Sequence, residues 1–161
     1  MKQTARDVMT RIVITASPDM PIEEAAALLA RHRITGLPVL NEHGSVIGMI
    51  SDFDLIGKHG REVGDIMTRQ VISVSPDTDL AEIGHILTAR HIRRLPVVQG
   101  NLLVGVVSRG DLIRRIAQRW ICNACGTEEF GPARPEHCTS CGADSSNFYQ
   151  VDAPPMMYRD M

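Results

Sequence analysis

Residues 7–19, DVMTRIVITASPD, return 58 positions later as DIMTRQVISVSPD at residues 65–77, and RITGLPVL (33–40) returns at the same shift as HIRRLPVV (91–98). One residue is then lost in a hairpin, and GMISDFDLI (48–56) falls on GVVSRGDLI (105–113). About twenty identities over about fifty positions, with spacing and punctuation preserved, mark an internal duplication. The fold must therefore be assembled from two like units of about 58 residues, and any site in one has a counterpart in the other.

Each unit reads alike. Val13–Thr15 and Val71–Ser73 are expected as short β-branched strands, stopped by Ser17-Pro18 and Ser75-Pro76. A helix follows in each copy. In the first, Pro21 suits the opening turn, Glu23 and Glu24 complement the positive helix end, and Ala25, Leu28, Leu29 and Ile34 form an apolar side. In the second, Leu80, Ile83, Ile86 and Leu87 take that role. Leu37–Leu40 and Val46–Ile50 are strands joined by a turn, as are Leu95–Val98 and Leu102–Val107. Each unit closes with Ser-x-x-Asp and another helix, giving the order strand, helix, strand, strand, helix. A unit this short buries only about 60% of the surface its unfolded chain exposes, so the two copies are expected to pack together and create equivalent clefts between them.

Composition narrows the function. The 161-residue chain is 43% hydrophobic and 22% charged with net charge −2, a globular composition with no bulk attraction to nucleic acid or anionic membranes. It shows no apolar signal core at the N-terminus and no apolar run long enough to span a bilayer, so a cytosolic location is expected.

The repeated Ser-x-x-Asp, Ser51–Asp54 and Ser108–Asp111, is a helix capping box in its simplest reading. The same groups at a cleft could also grip a ligand, because free N–H groups at a helix start favour phosphate and a carboxylate accepts hydrogen bonds from a vicinal diol. D-x-M-T, the Ser-Pro-Asp strand end, x-x-L-P-V and Gly-h-h-Ser-x-x-Asp (h apolar), each occurring twice over residues 1 to about 118, resemble a tandem pair of cystathionine beta-synthase (CBS) domains, a Bateman module. That resemblance implies an adenosine-ligand sensor in which Asp54 and Asp111 hold ribose hydroxyls and Ser51 and Ser108 contact phosphate. It further implies adenine contacts from segments containing Thr15 and Ser17, Gly36 and Pro38, Ser73 and Ser75, and Leu95 and Pro96.

The copies differ in charge. The second has Arg90, Arg93, Arg94 and Arg109 where the first has His32, Thr35, Gly36 and Asp52. The site of Asp111 is therefore expected to be the better phosphate binder, and that of Asp54 the more acidic one, suited to an uncharged adenosine or to a cation such as S-adenosylmethionine.

All four cysteines fall within twenty residues, as Cys122-x2-Cys125 and Cys138-x2-Cys141, with Gly126 and Gly142 closing the two knuckles. Four soft thiolates at this spacing suit a tetrahedral metal in a reducing compartment. So small a segment lacks an apolar core, and the metal is expected to contribute on the order of 10 kcal/mol to its folding. His137, beside Cys138, reads as a loop residue. Trp120-x-Cys-x2-Cys-Gly, Gly131, Pro135-Glu136 and Phe148 resemble the rubredoxin-type domain of rubrerythrins, which implies structural zinc or one iron. Thr127 and Thr139 depart from that pattern and favour zinc.

The expected architecture is α+β: two βαββα CBS repeats (1–60 and 61–118) packed as a pseudo-twofold pair, a four-cysteine rubredoxin-like or zinc-ribbon domain (119–150), and a tail (151–161) whose Met156, Met157 and Tyr158 could dock on a partner. No nucleophile and base pair can be assembled, so the chain is read as a non-enzymatic regulator. It would bind an adenine nucleotide, form a homodimer through the CBS pair, and present the metal knuckle to an unidentified protein partner. A nucleotide-modulated electron carrier or redox sensor is the alternative. A nucleic-acid-binding ribbon, supported by Arg114, Arg115 and Arg119 but offset by Glu128, Glu129, Glu136 and Asp144, is the second.

Overall fold

The structure, a computed structural model, describes residues 3–151; the tail residues Met156, Met157 and Tyr158 lie outside them. The chain divides into two compact units, with the break after Ser108.

In the first unit the two copies form matching hairpins. Strands β1 (Gly36–Leu40) and β2 (Val46–Ser51) pair antiparallel, as do β3 (Arg94–Gln99) and β4 (Leu102–Ser108). A bulge falls at the same place in each, between Val39 and Leu40 and between Val97 and Val98. The preceding helices α2 (Ile22–His32) and α5 (Leu80–Ala89) bury Ala25 and Leu29, and Ile83 and Leu87, on the apolar sides expected from helical spacing. After these helices Arg33 and His91, equivalent in the repeat, both adopt left-handed backbone (φ 51° and 53°).

The expected strands at Val13–Thr15 and Val71–Ser73 do not form. Each contracts to one parallel bridge, Ala16 to Val39 and Val74 to Val97. Ala16 exchanges two backbone hydrogen bonds with Pro38 and Leu40, and Val74 two with Pro96 and Val98. The prolines that follow, Pro18 and Pro76, have no N–H to extend the ladder.

The copies exchange their opening segments. Helix α4 (Val63–Ile66), which begins the second copy, buries Val63, Ile66 and the following Met67 in one cluster with Leu37, Val39 and Ile50 of the first. Thr68 pairs with Met49. Reciprocally, after α1 (Ala5–Val8), which begins the first copy, Thr10 pairs with Val106, and the Ala5 amide donates to the Thr78 carbonyl at 2.9 Å. Two glycines make room for this exchange. A Cβ at Gly48 would stand 2.6 Å from Met67 Sδ, and one at Gly105 would stand 2.7 Å from Met9 Sδ. The repeated Met of D-x-M-T therefore seats on the repeated Gly of the opposite copy. Each buried Leu, Ile or Val contributes about 1.5–3 kcal/mol by leaving water, so neither half retains its full core alone.

The second unit opens with α6 (Arg109–Ile116). A three-stranded sheet follows, ordered β6 (Glu128–Phe130), β5 (Arg119–Cys122), β7 (Phe148–Val151), all antiparallel. Among the described residues the core of this sheet is Trp120, Cys122, Cys138 and Phe148, with Ala143 packed against it. Trp120 Nε1 donates to the Gly131 carbonyl at 3.1 Å. Among the described residues no helix is long and apolar enough to cross a membrane.

Candidate functional site: a cleft at Asp54 and a four-cysteine centre

At the start of α3 (Asp52–Gly57) the capping box is complete. Asp54 Oδ2 accepts from the Ser51 amide and the Ser51 hydroxyl, both at 2.9 Å, while Ser51 Oγ accepts from the Asp54 amide at 3.3 Å. Asp54 Oδ1 meets Lys58 Nζ at 2.7 Å. Asp54 is buried, only 8% exposed, yet it lines an open cleft of about 260 Å³. Capping and facing a cavity are thus properties of the same two residues.

The cleft draws on both copies. Its apolar lining includes Met49, Ile50, Val71, Ile72 and Ile92, with Phe53 at the rim and 76% exposed. Its polar lining includes Ser51, Asp52, Asp54, Arg93 and Arg94. Here the charge expectation is corrected. Arg93 and Arg94, assigned from the sequence to the site of Asp111, line the cleft of Asp54, which is therefore not simply acidic. The cause is the crossing of the two copies at their strand starts. Arg94 leaves β3 and reaches the start of β1, donating to the Gly36 carbonyl at 2.7 Å and to Thr35 Oγ1 at 2.5 Å. Arg93 lies 3.5 Å from Asp52 Oδ2.

Of the expected adenine-contact positions, Gly36 and Pro96 line this cleft; Thr15, Ser17, Pro38, Ser73, Ser75 and Leu95 do not. Pro38 and Leu95 are fully buried, and Ser75 Oγ lies 3.2 Å from Thr78 Oγ1. Val71 and Ile72, just before Ser73, are the residues that reach the cavity. Sequence reading missed Lys58, which lies in the glycine-rich link GKHGREVG; a cation four residues after the motif aspartate was the available signal.

In the second unit Asp111 is buried on the first turn of α6 and pairs with Arg114, while Arg109 is exposed at the helix start. Ser108 ends β4 in the first unit.

The four cysteine sulfurs lie within 4.8 Å of one another. Cys122 and Cys141 Sγ are 3.8 Å apart and Cys125 and Cys138 Sγ 3.5 Å. Bonds of about 2.3 Å to a tetrahedral zinc place sulfurs about 3.8 Å apart, so the donor set fits such an ion. Gly126 and Gly142 take the positive φ that each knuckle requires (77° and 74°). Cys122 and Cys138 are buried; Cys125 and Cys141 are exposed. The Thr127 hydroxyl, then its amide and the Cys141 thiol, lower the Cys125 thiol to about 6. The Ala143 amide lowers Cys141, but the Cys125 thiol, burial and the other two sulfurs outweigh it and push that thiol up to about 12. Metal binding requires all four thiolates and therefore releases protons. Glu129 Oε1 braces the second knuckle, accepting from the Thr139 amide and hydroxyl at 2.9 and 3.0 Å. Among the described residues the group that could hold a metal ion is the four cysteines, without His137, whose backbone forms an antiparallel bridge with Asp144.

Comparison with known proteins bears on the duplicated part of the chain and extends ten residues past the break after Ser108. The family model described as CBS domain matches residues 5–59 and 63–118. The CBS domain-containing protein YhcV of Bacillus subtilis is 36% identical over 116 residues, covering 68% of this chain and 82% of that protein. An inosine-5'-monophosphate dehydrogenase of Methanocaldococcus jannaschii is 29% identical over 143 residues, and the match spans 81% of this chain but 29% of that enzyme. Among solved structures, CBSX2 in complex with AMP superposes with a TM-score of 0.66 at 31% identity, covering 69% of this chain and 93% of that one. The CBS domain pair of MJ0100, in complex with 5'-methylthioadenosine and S-adenosyl-L-methionine, gives 0.67 at 30% identity, covering 71% and 95%. Because the match takes in both copies of the duplication, the chain belongs to the CBS domain family and carries a tandem pair.

Proposed function

We infer that this chain is a non-enzymatic regulator whose Asp54 cleft binds an adenosine nucleotide of the AMP type, with the cysteine knuckle as its metal-stabilised effector surface. One observation carries the reading: a buried carboxylate and two guanidinium groups face a single apolar-walled cleft. Asp54 offers acceptors to the ribose diol, Arg93 offers donors to a phosphate, and Ile72, Ile92 and Met49 offer an apolar bed for the base. The phosphate role expected of Ser51 is not available to it here, because its amide and hydroxyl both donate to Asp54 Oδ2. The volume lies near the low end of the roughly 300–1,000 Å³ usual for ligand pockets, which favours a mononucleotide over a dinucleotide. Arginines beside the carboxylates favour a phosphate over the sulfonium of S-adenosylmethionine. The complexes of CBSX2 with AMP and of MJ0100 with adenosine derivatives support this ligand class. Asp111, buried on the first turn of α6, is the counterpart in the repeat of Asp54.

The segment from Arg119 onward is read as a rubredoxin-like or zinc-ribbon domain holding zinc, with Thr127 and Thr139 at the two departures from rubredoxin pattern. An electron-carrier reading draws on one feature, the exposed sulfurs of Cys125 and Cys141. A red protein with a reversible one-electron couple would favour iron; colourless protein with one zinc per chain would reject it. A nucleic-acid ribbon is disfavoured, since Arg114, Arg115 and Arg119 pair locally with Asp111, Gln118 and Glu128. Phe53 and Ile56, 76% and 85% exposed on α3, support a homodimer through the CBS pair. A cytosolic setting suits the four thiols.

The test is thermal unfolding with AMP, ADP, ATP and S-adenosylmethionine. AMP at 100 times its Kd adds about 2.7 kcal/mol of stability to the wild type. Asp54→Ala is expected to lose stability by about 0.5–2 kcal/mol through its cap and to lose most of the AMP response as well. A wild type indifferent to every nucleotide leaves capping as the sole role.

A further inference from the structure

We propose that Lys58 is an internal competitor for the ligand-binding carboxylate of Asp54, displaced when a ribose diol enters the cleft. The proposal rests on the nucleotide reading above and adds its regulation. A carboxylate has about four acceptor positions. Three are filled here: Ser51 N–H and Ser51 O–H on Oδ2, and the Lys58 ammonium on Oδ1. A vicinal diol brings two donors to the one position left, so gripping both hydroxyls requires an existing donor to leave. The Ser51 amide is fixed by the helix start. The Ser51 hydroxyl is held from both sides, donating to Oδ2 and accepting from the Asp54 amide. Lys58 is 49% exposed on a flexible stem, and its ammonium regains water on release.

Lys58 also donates to the carbonyl of Ile66, the last residue of α4, at 3.0 Å. It therefore ties the ligand-facing helix of the first copy to the opening helix of the second. Displacement by ligand removes that tie, so occupancy of the cleft is transmitted to α4. The pairing recurs in the other copy with a different residue and spacing, Arg114 on Asp111 three residues earlier in its helix, so neutralisation of the motif aspartate from its own helix occurs twice.

The experiment is calorimetric titration of full-length protein with AMP, in the wild type, Lys58→Met and Lys58→Arg. Removing a half-exposed competitor tightens AMP binding about two- to five-fold in Lys58→Met, while Lys58→Arg stays near the wild type. A second readout uses the wild type alone. Acylation of the Lys58 amine, followed by mass spectrometry, is expected to speed up when AMP saturates the cleft. Unchanged or weaker AMP binding in Lys58→Met overturns the proposal, as does protection of Lys58 by AMP, which would make it a ligand contact. Failure of both wild type and Lys58→Met to bind AMP sinks the nucleotide reading itself, a different result from binding that ignores Lys58.

Discussion

Two of the cores among the described residues are made by opposite means. Around β1 and β2 the core comes from afar, with Val63, Ile66 and Met67 of the second copy packed against Leu37, Val39 and Ile50 of the first. The knuckle core is four residues, two of them cysteines. One region is held by apolar burial between segments distant in sequence, the other by a donor set gathered within twenty residues and suited to an ion. The two regions should therefore respond to different perturbations, the packed pair to changes in its apolar contacts and the knuckle to gain or loss of an ion.

The sharpest way to break the contrast is to remove the metal. Chelation, or Cys122→Ser with Cys138→Ser, removes on the order of 10 kcal/mol from the knuckle. Amide hydrogen exchange is expected to lose protection in β5, β6 and β7 while β1 to β4 keep theirs. Equal loss in both regions would mean the cores are not separable.

The reverse perturbation targets the exchanged segments. Gly48→Ala and Gly105→Ala drive a methyl into Met67 and Met9 and are expected to cost about 1–3 kcal/mol each in thermal unfolding, with metal content unchanged. Gly57→Ala, where the added carbon meets nothing within 4 Å, serves as the control and should be neutral or slightly stabilising. If all three behave alike, the seating of Met on Gly contributes nothing.

Arg94→Ala should cost about 1–2 kcal/mol, since it removes bonds to Thr35 and the Gly36 carbonyl. Arg93→Ala, removing a half-exposed pair, should stay within about 0.5 kcal/mol yet weaken AMP binding. Equal effects on stability would contradict the geometry that separates them.

These pairs show what could be read from residues alone. The duplication identifies equivalent positions, and so the hairpins, the helix faces and Ser51 with Asp54 were legible. It does not say which copy a side chain reaches into. Arg93 and Arg94 belong by sequence with Asp111, yet the crossing of strand starts carries them to the cleft of Asp54, and no spacing within one copy encodes that. The same exchange hid the seating of Met67 on Gly48. Val13–Thr15 failed as a strand because β-branching favours extension without providing a partner, and Pro18 ends the ladder after one bridge. The cysteine ligands needed no such information, because a tetrahedral donor set built from two knuckles is written in local spacing.

The smallest expected effect is acid lability. Asp65 at the start of α4 and Asp144 in the knuckle are held below the ordinary 3.8, Asp65 first by the Glu62 amide and Asp144 first by the Ser146 hydroxyl. A carboxylate with a lowered folded pKa contributes stability that is present above the unfolded value and lost as pH falls through the folded one. Stability should therefore decline below about pH 3.8, slightly less steeply in Asp65→Asn and Asp144→Asn. An unchanged slope would show that these caps play no part.

Backbone amide shifts during an AMP titration, recorded by NMR on the zinc-loaded chain, test the nucleotide assignment most directly. The expected result is saturable change concentrated at Ser51, Asp54, Ile72, Arg93 and Arg94. Saturating AMP that leaves those amides in place, or moves only residues remote from the cleft, would contradict it.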